Sequence, residues 1–237
     1  MERHFDQELE ALKGQLLLMG GHAEAIIQKS VESLKRRDPR LAEEAFDDDK
    51  TIDRLEIDIE ERCVGLLALR QPLAVDLRFI TAALKISNDL ERVGDHAVNI
   101  ATCSTRLAQV PPLKPLVDIP RMAAMASAML RDALDAFVRR DAVTARRLCT
   151  RDDEVDNLNR QIFRELLSFM MEDPTTITRA MDLILVARNL ERVADLATNV
   201  AEEVVFIAEA RIIKHHVEEA PTGGRPSGGV TGAPRML

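Results

Sequence analysis

The chain has 237 residues, a formal net charge of −8, seven Phe and neither Trp nor Tyr. That length allows a sizeable core, while the acidic balance, the lack of a Lys/Arg-rich block and the scarcity of base-stacking rings argue against a nucleic-acid partner. No apolar run nears the roughly 18 residues that span a bilayer, and the charged start Met1-Glu2-Arg3-His4 is unlike an export signal, so a soluble, cytoplasmic protein without direct membrane insertion is expected.

Leu, Ala, Arg, Glu and Asp prevail over β-branched and aromatic residues, which favours an all-α fold. Phe5, Leu9, Leu12, Leu16, Met19, Ala23, Ile26, Ser30 and Leu34 advance by threes and fours, the pattern of one long amphipathic helix. It should end near Asp38-Pro39, because the residue before a proline avoids helical dihedrals. A second helix carries Leu41, Ala45, Ile52, Leu55, Ile59, Cys63 and Leu66 on one face and runs to about Arg70-Gln71, where Pro72 starts a third. The third has Leu77, Ile80, Leu84, Ile86, Leu90, Val93, Ala97 and Ile100 as its apolar stripe.

Pro111, Pro112 and Pro115 exclude helix from the segment that follows. After Pro120 the apolar pattern restarts with Met122, Met125, Met129, Ala133 and Phe137, breaks around Arg140-Asp141, and resumes with Leu148, Val155, Leu158, Ile162 and Leu166. It stops at Asp173-Pro174 and closes with Met181, Ile184, Val186, Leu190, Val193, Ala197, Val200 and Val204. The three methionines read as core at helical spacing rather than as an adaptable binding surface. Cys63, Cys103 and Cys149 lie far apart inside helical patterns, so they match neither a disulfide framework nor a zinc site and read as reduced core thiols.

Leu90-Glu91-Arg92-Val93-Gly94-Asp95-His96-Ala97-Val98-Asn99-Ile100-Ala101 returns 100 residues later as Leu190-Glu191-Arg192-Val193-Ala194-Asp195-Leu196-Ala197-Thr198-Asn199-Val200-Ala201, identical at eight of twelve positions. Arg36-Arg37-Asp38 returns as Arg139-Arg140-Asp141, and the pair Asp49/Asp53 as Asp152/Asp156, both at an offset of 103. The three-residue difference falls in the turn between the second and third helices. Shared register over so long a stretch marks an internal duplication. The expected architecture is therefore two tandem antiparallel three-helix bundles, residues 1–108 and 120–218, joined by a Pro-rich linker at 109–119 and followed by a flexible Gly/Pro-rich tail at 219–237.

The repeat retains polar residues as well as the apolar stripe. Four residues turn a helix by about 400°, so Glu91, Asp95 and Asn99 share a face that borders the core or meets a neighbouring helix, and Asp49 and Asp53 form a second carboxylate pair one turn apart. Two such helices packed antiparallel can converge four carboxylates, which must then be neutralised. Hard divalent or trivalent cations bound through oxygen are one solution; an arginine-braced network using Arg54, Arg92 and Arg192 is the other. Ferritin-like chemistry is disfavoured by the lack of a Glu-x-x-His pair. His96, whose counterpart is Leu196, reads as a surface or helix-packing residue, and His215-His216 are placed to cap the last carbonyls. No nucleophile elbow or phosphate-cradling Gly-rich loop is present, so an enzyme is not expected.

Gln71-Pro72-Leu73-Ala74-Val75-Asp76-Leu77-Arg78, followed by the Leu90–Ala101 motif, resembles the PhoU family of phosphate-signalling regulators over about residues 5 to 216. The resemblance implies two three-helix bundles with pseudo-two-fold symmetry. It further implies a homodimeric adaptor and negative regulator that couples the ATPase of the phosphate ABC transporter to a phosphate-sensing histidine kinase. Family members carry metal clusters at these carboxylates, so the resemblance assigns ligand roles to Asp49, Asp53, Glu91 and Asp95 and to Asp152, Asp156, Glu191 and Asp195. Asn99 and Asn199 become ligands or groups just behind them, with Fe, Mn, Zn or Mg as candidate ions. Two other readings are a metal-dependent phosphohydrolase and a metal-buffering bundle.

Overall fold

The computed structural model describes residues 2–70 and 72–213. Gln71, His215-His216 and the expected tail at 219–237 lie outside these residues. Among the described residues there are seven α-helices and no strand: α1 (Glu2–Arg36), α2 (Pro39–Arg70), α3 (Ala74–Ala108), α4 (Asp118–Arg139), α5 (Ala142–Leu148), α6 (Asp152–Glu172) and α7 (Ile177–Glu209). The all-α duplicated fold expected from the sequence is thus present, with α5 and α6 together standing where α2 stands in the first half.

That division is the main departure from the expected pattern of six long helices. At the α5–α6 junction the backbone N–H groups of Thr150 and Arg151 bond to Arg147 and Leu148, three residues back, at 3.4 and 2.9 Å. The Thr150 hydroxyl also donates to the Arg147 carbonyl at 2.9 Å, and such local bonding competes with the helical ladder. Smaller differences lie at the prolines. The third helix begins at Ala74, just past Pro72, and α4 begins at Asp118 with Pro120 in its first turn, where a missing N–H costs no helical bond.

The duplication is visible in backbone geometry. Arg37 and Arg140, equivalent in the two halves, both adopt left-handed dihedrals, with φ of 55° and 52°. After each, an aspartate N–H reaches back five residues, Asp38 to Ser33 at 3.1 Å and Asp141 to Ala136 at 2.9 Å, which satisfies carbonyls left over at the helix end. Asp141 then caps α5 by accepting from Val143 and Thr144, both at 3.0 Å.

Side-chain contacts fix the helix directions. Arg70 reaches Glu8 at 3.0 Å and Lys29 reaches Asp48 at 2.6 Å, so α1 and α2 are antiparallel. Ser33 meets Ser104 at 2.7 Å while Arg37 donates to the Ala108 carbonyl at 3.2 Å, so α1 and α3 run parallel. The halves join along α3 and α7, which are antiparallel: Lys85 binds Glu203 at 2.9 Å, His96 meets Asn189 at 2.9 Å, and Arg106 binds Asp182 at 3.0 Å. A second seam runs between α1 and α4, where a Cβ at Gly20 would stand 2.3 Å from Leu134 Cδ1. Glycine is what allows that approach.

The expected apolar stripes are buried. Leu90, Val93, Ala97 and Ile100 are fully enclosed, as are Leu190, Val193 and Val200, each large side chain contributing about 1.5–3 kcal/mol. Both stripes belong to one continuous core. Met122 and Met129 are buried in it, and Cys63, Cys103 and Cys149 are buried free thiols, in agreement with the reading from sequence.

Candidate metal centres

The antiparallel packing of α2 on α3 sets Asp49 against Gly94 and Glu56 against Asn88, whose amide donates to the Glu56 carboxylate at 3.4 Å. Asp49, Asp53, Glu91 and Asp95 consequently share one interhelical strip. Their proximity is registered in their acidities. Burial, then the negative charges of Asp53 and Asp95, push Asp49 up to about 6. Burial, then Asp95, Glu56, Asp53 and Asp49, push Glu91 up to about 7. Glu56, which the sequence reading did not assign to the site, stands close enough to act on Glu91.

The second half repeats the strip. Burial, then Glu191 and Asp152, raise Asp156. Burial likewise raises Asp195 to about 6, against the opposing charge of Arg192 and with Glu191, Asp156 and Asp152 adding to the rise. Arg192 lies 3.6 Å from Asp195, whereas Arg92 at the equivalent position turns to Asp89 at 3.4 Å. Arginine bracing, one of the two solutions open from the sequence, therefore reaches the second strip directly; Arg92 instead pairs with Asp89.

Two residues explain the local differences. A Cβ at Gly94 would lie 2.6 Å from Asp49 Oδ1 and 3.2 Å from Ile52 Cδ1, so glycine makes the room the Asp49 carboxylate occupies. The second half has Ala194 there. His96 is half-buried and its Nδ1 meets Asn189 Oδ1 at 2.9 Å across the α3–α7 seam. Burial lowers its pKa despite that hydrogen bond, which makes it a packing histidine as expected. Asn99 is exposed, and Asn199 lines the α3–α7 cleft with Asp89 and Arg92. Each four-residue step drifts about 40° around the helix, which carries the third polar position away from the first.

The donor set is all oxygen, drawn from two facing helices, and its negative charge is under-compensated, above all in the first half. Those properties suit a hard cation such as Mg or Mn, and tolerate Fe or Zn. Among the described residues, no three His, Cys, Asp or Glu side chains stand together in a coordinating group. The strips are thus facing but not closed.

Both halves match the PhoU domain model, at residues 16–104 and 119–204. The chain belongs to the PhoU family. It is 45% identical over 214 residues to the phosphate-specific transport system accessory protein PhoU homolog of Aquifex aeolicus, covering 90% of this chain and 97% of that one. The protein of the same name from Caulobacter vibrioides is 42% identical over 205 residues, covering 86% and 89%. Among solved structures, PhoU from Pseudomonas aeruginosa aligns with a TM-score of 0.84 at 37% identity, covering 87% of this chain and 100% of that chain. The phosphate transport system regulatory protein PhoU from Streptococcus pneumoniae aligns with a TM-score of 0.82 at 28% identity, covering 89% and 100%. No helix among the described residues is long and apolar enough to cross a membrane.

Proposed function

We propose that this chain is an accessory protein of a phosphate transport system, acting from the cytoplasm as a negative regulator of phosphate uptake and of phosphate-starvation signalling. The observation that carries the proposal is the likeness over 86–90% of the chain, both repeats included, to relatives named as accessory proteins of phosphate-specific transport. That name also supports action by protein contact rather than by catalysis. The contacts proposed are with the transporter ATPase on one side and a phosphate-sensing histidine kinase on the other, made by a homodimer.

Within this reading Asp49, Asp53, Glu91 and Asp95 would hold a cation in the first repeat, and Asp152, Asp156, Glu191 and Asp195 in the second. A bound cation would supply positive charge to two strips that otherwise repel themselves. The side chains tie α2 to α3 and α6 to α7 when their charges are neutralised, and push those helices apart when they are not.

The experiment is a phosphate-starvation promoter reporter in a strain lacking this gene, grown in high phosphate. The expected result is a reporter that turns on upon deletion and is silenced by the wild-type gene. A reporter indifferent to the deletion overturns the regulatory reading, and failure to crosslink either partner at any phosphate level overturns the contact mechanism.

A further inference from the structure

The duplication places surfaces of opposite charge at equivalent positions in the two halves. The α6–α7 cleft is an open groove of about 490 Å³ lined by Arg160, Arg164, Arg188 and Arg192, with Glu191 its one acidic residue. Through the repeat register, the equivalent α2–α3 surface has Ile57, Glu61, Asn88 and Arg92 at the four arginine positions, Glu60 where Phe163 stands, Glu56 where Asn159 stands, and Glu91 opposite Glu191. Each matched pair has the same degree of exposure in the two halves, so the backbone is repeated while the charge is reversed. Setting aside Glu91 and Glu191, which belong to the carboxylate strips, four arginines in one half become three glutamates and one arginine in the other.

These charges are largely unspent within the chain. Among the described residues, Arg164, Arg188, Glu60 and Glu61 enter no ion pair, and Arg160 donates only to the Asp156 carbonyl and the Asn157 amide oxygen, at 3.3 and 2.9 Å. The α6–α7 cleft also displays Phe163, 47% exposed, beside half-buried Ile184, and the α2–α3 surface displays Ile57 at 55% exposure. An acidic protein that keeps four arginines around one groove, while carrying an acidic surface at the equivalent place in its other half, is complementary to itself in charge.

We propose that the α6–α7 cleft of one chain docks the acidic α2–α3 surface of a second copy, reciprocally, in a two-fold dimer. The pairing is isologous, because each chain offers both surfaces and a two-fold axis brings each against its complement. Phe163 and Ile57 supply the apolar contacts, and the charges fix partner and register. This inference rests on the homodimer reading above and specifies its interface.

Sedimentation velocity of the full chain tests it, using Arg164→Glu/Arg188→Glu, Glu60→Arg/Glu61→Arg and the combination of all four. The expected result is a wild-type dimer whose dissociation constant rises at least about tenfold from low to high salt. Each double variant should weaken the dimer at least about tenfold, while the four-fold variant, which exchanges the charges, should recover to within a few-fold of wild type. All the substitutions are at exposed positions, and thermal melts verify that every variant is folded. A dimer indifferent to salt and to both reversals overturns this interface and leaves the homodimer standing; a wild type monomeric at every salt overturns both. Weakening by the arginine reversal alone, or no recovery in the four-fold variant, also overturns it and leaves the basic cleft to some other anion.

Discussion

In the first repeat, Gly94 leaves space for the Asp49 carboxylate, Arg92 turns aside to Asp89, and Glu91 rises to about 7 among four other carboxylates. In the second repeat, Ala194 occupies the glycine position and Arg192 approaches Asp195 at 3.6 Å. The acidic residues and helix directions are the same, yet one strip carries its charge with little internal relief and the other is partly braced. Duplication has kept the backbone frame and the acidic side chains while the neighbours that set their electrostatics have diverged. The same divergence, carried further along the same helices, reverses the charge of the adjoining surfaces.

The strongest perturbation of this comparison lies in the shared core. Leu90→Ala and Leu190→Ala each remove a fully enclosed side chain from equivalent places and should each cost about 3–5 kcal/mol. Because α3 and α7 pack in one core, calorimetry should show a single lowered transition for either variant. Two separated transitions would mean that the repeats melt as independent bodies.

Next in size is the dependence on pH, measured on metal-free protein. Asp49, Glu91 and Asp195 have folded-state values raised to about 6, 7 and 6, so the folded protein binds more protons than the unfolded chain between those values and the ordinary carboxylate range. Stability must fall as pH rises through that window. The melting temperature should be about 2–5 °C higher at pH 5.5 than at pH 8, and Glu91→Gln should flatten the trend. A melting temperature that rises with pH over this interval would contradict the crowding of uncompensated carboxylates.

Exchange at the divergent position is expected to be asymmetric. Ala194→Gly should cost about 1 kcal/mol, as glycine does inside a helix. Gly94→Ala should gain less than the converse amount, since its Cβ must displace Asp49 Oδ1 from 2.6 Å, and should weaken cation binding in the first strip. Chemical denaturation and metal titration of the two variants give both numbers. Smallest is the pair of left-handed arginines. Arg140→Gly should stabilise by about 0.5–1 kcal/mol, whereas Arg37→Gly should gain less because the Arg37 guanidinium holds the Ala108 and Val110 carbonyls. Equal gains in thermal melts would show that those bonds contribute nothing.

Most of the fold was legible because apolar spacing and prolines act locally. The Leu90–Ile100 stripe, the helix ends at Arg37-Asp38 and the duplicated register all follow from nearest-neighbour chemistry. The split between α5 and α6 was not, since Thr150 is one hydroxyl in an otherwise helical pattern. At the site, the facing of Asp49/Asp53 on Glu91/Asp95 followed from helix direction and turn length. Three features depended on tertiary packing instead: the influence of Glu56, the different turns taken by Arg92 and Arg192, and the withdrawal of Asn199 into the α3–α7 cleft. The charge reversal between the two halves was already in the sequence, at the polar exposed positions where the repeats differ rather than at those where they match.

The central proposal, that the two carboxylate strips would hold cations in unequal surroundings, is tested most directly by calorimetric titration of Mn into the metal-free full chain. Wild type, Glu91→Ala/Asp95→Ala and Glu191→Ala/Asp195→Ala would be compared. The account predicts binding at two separable sites in wild type, the tighter one lost with the first double variant and the weaker one with the second. Absence of binding to the wild type, or binding that survives in both variants, would contradict it.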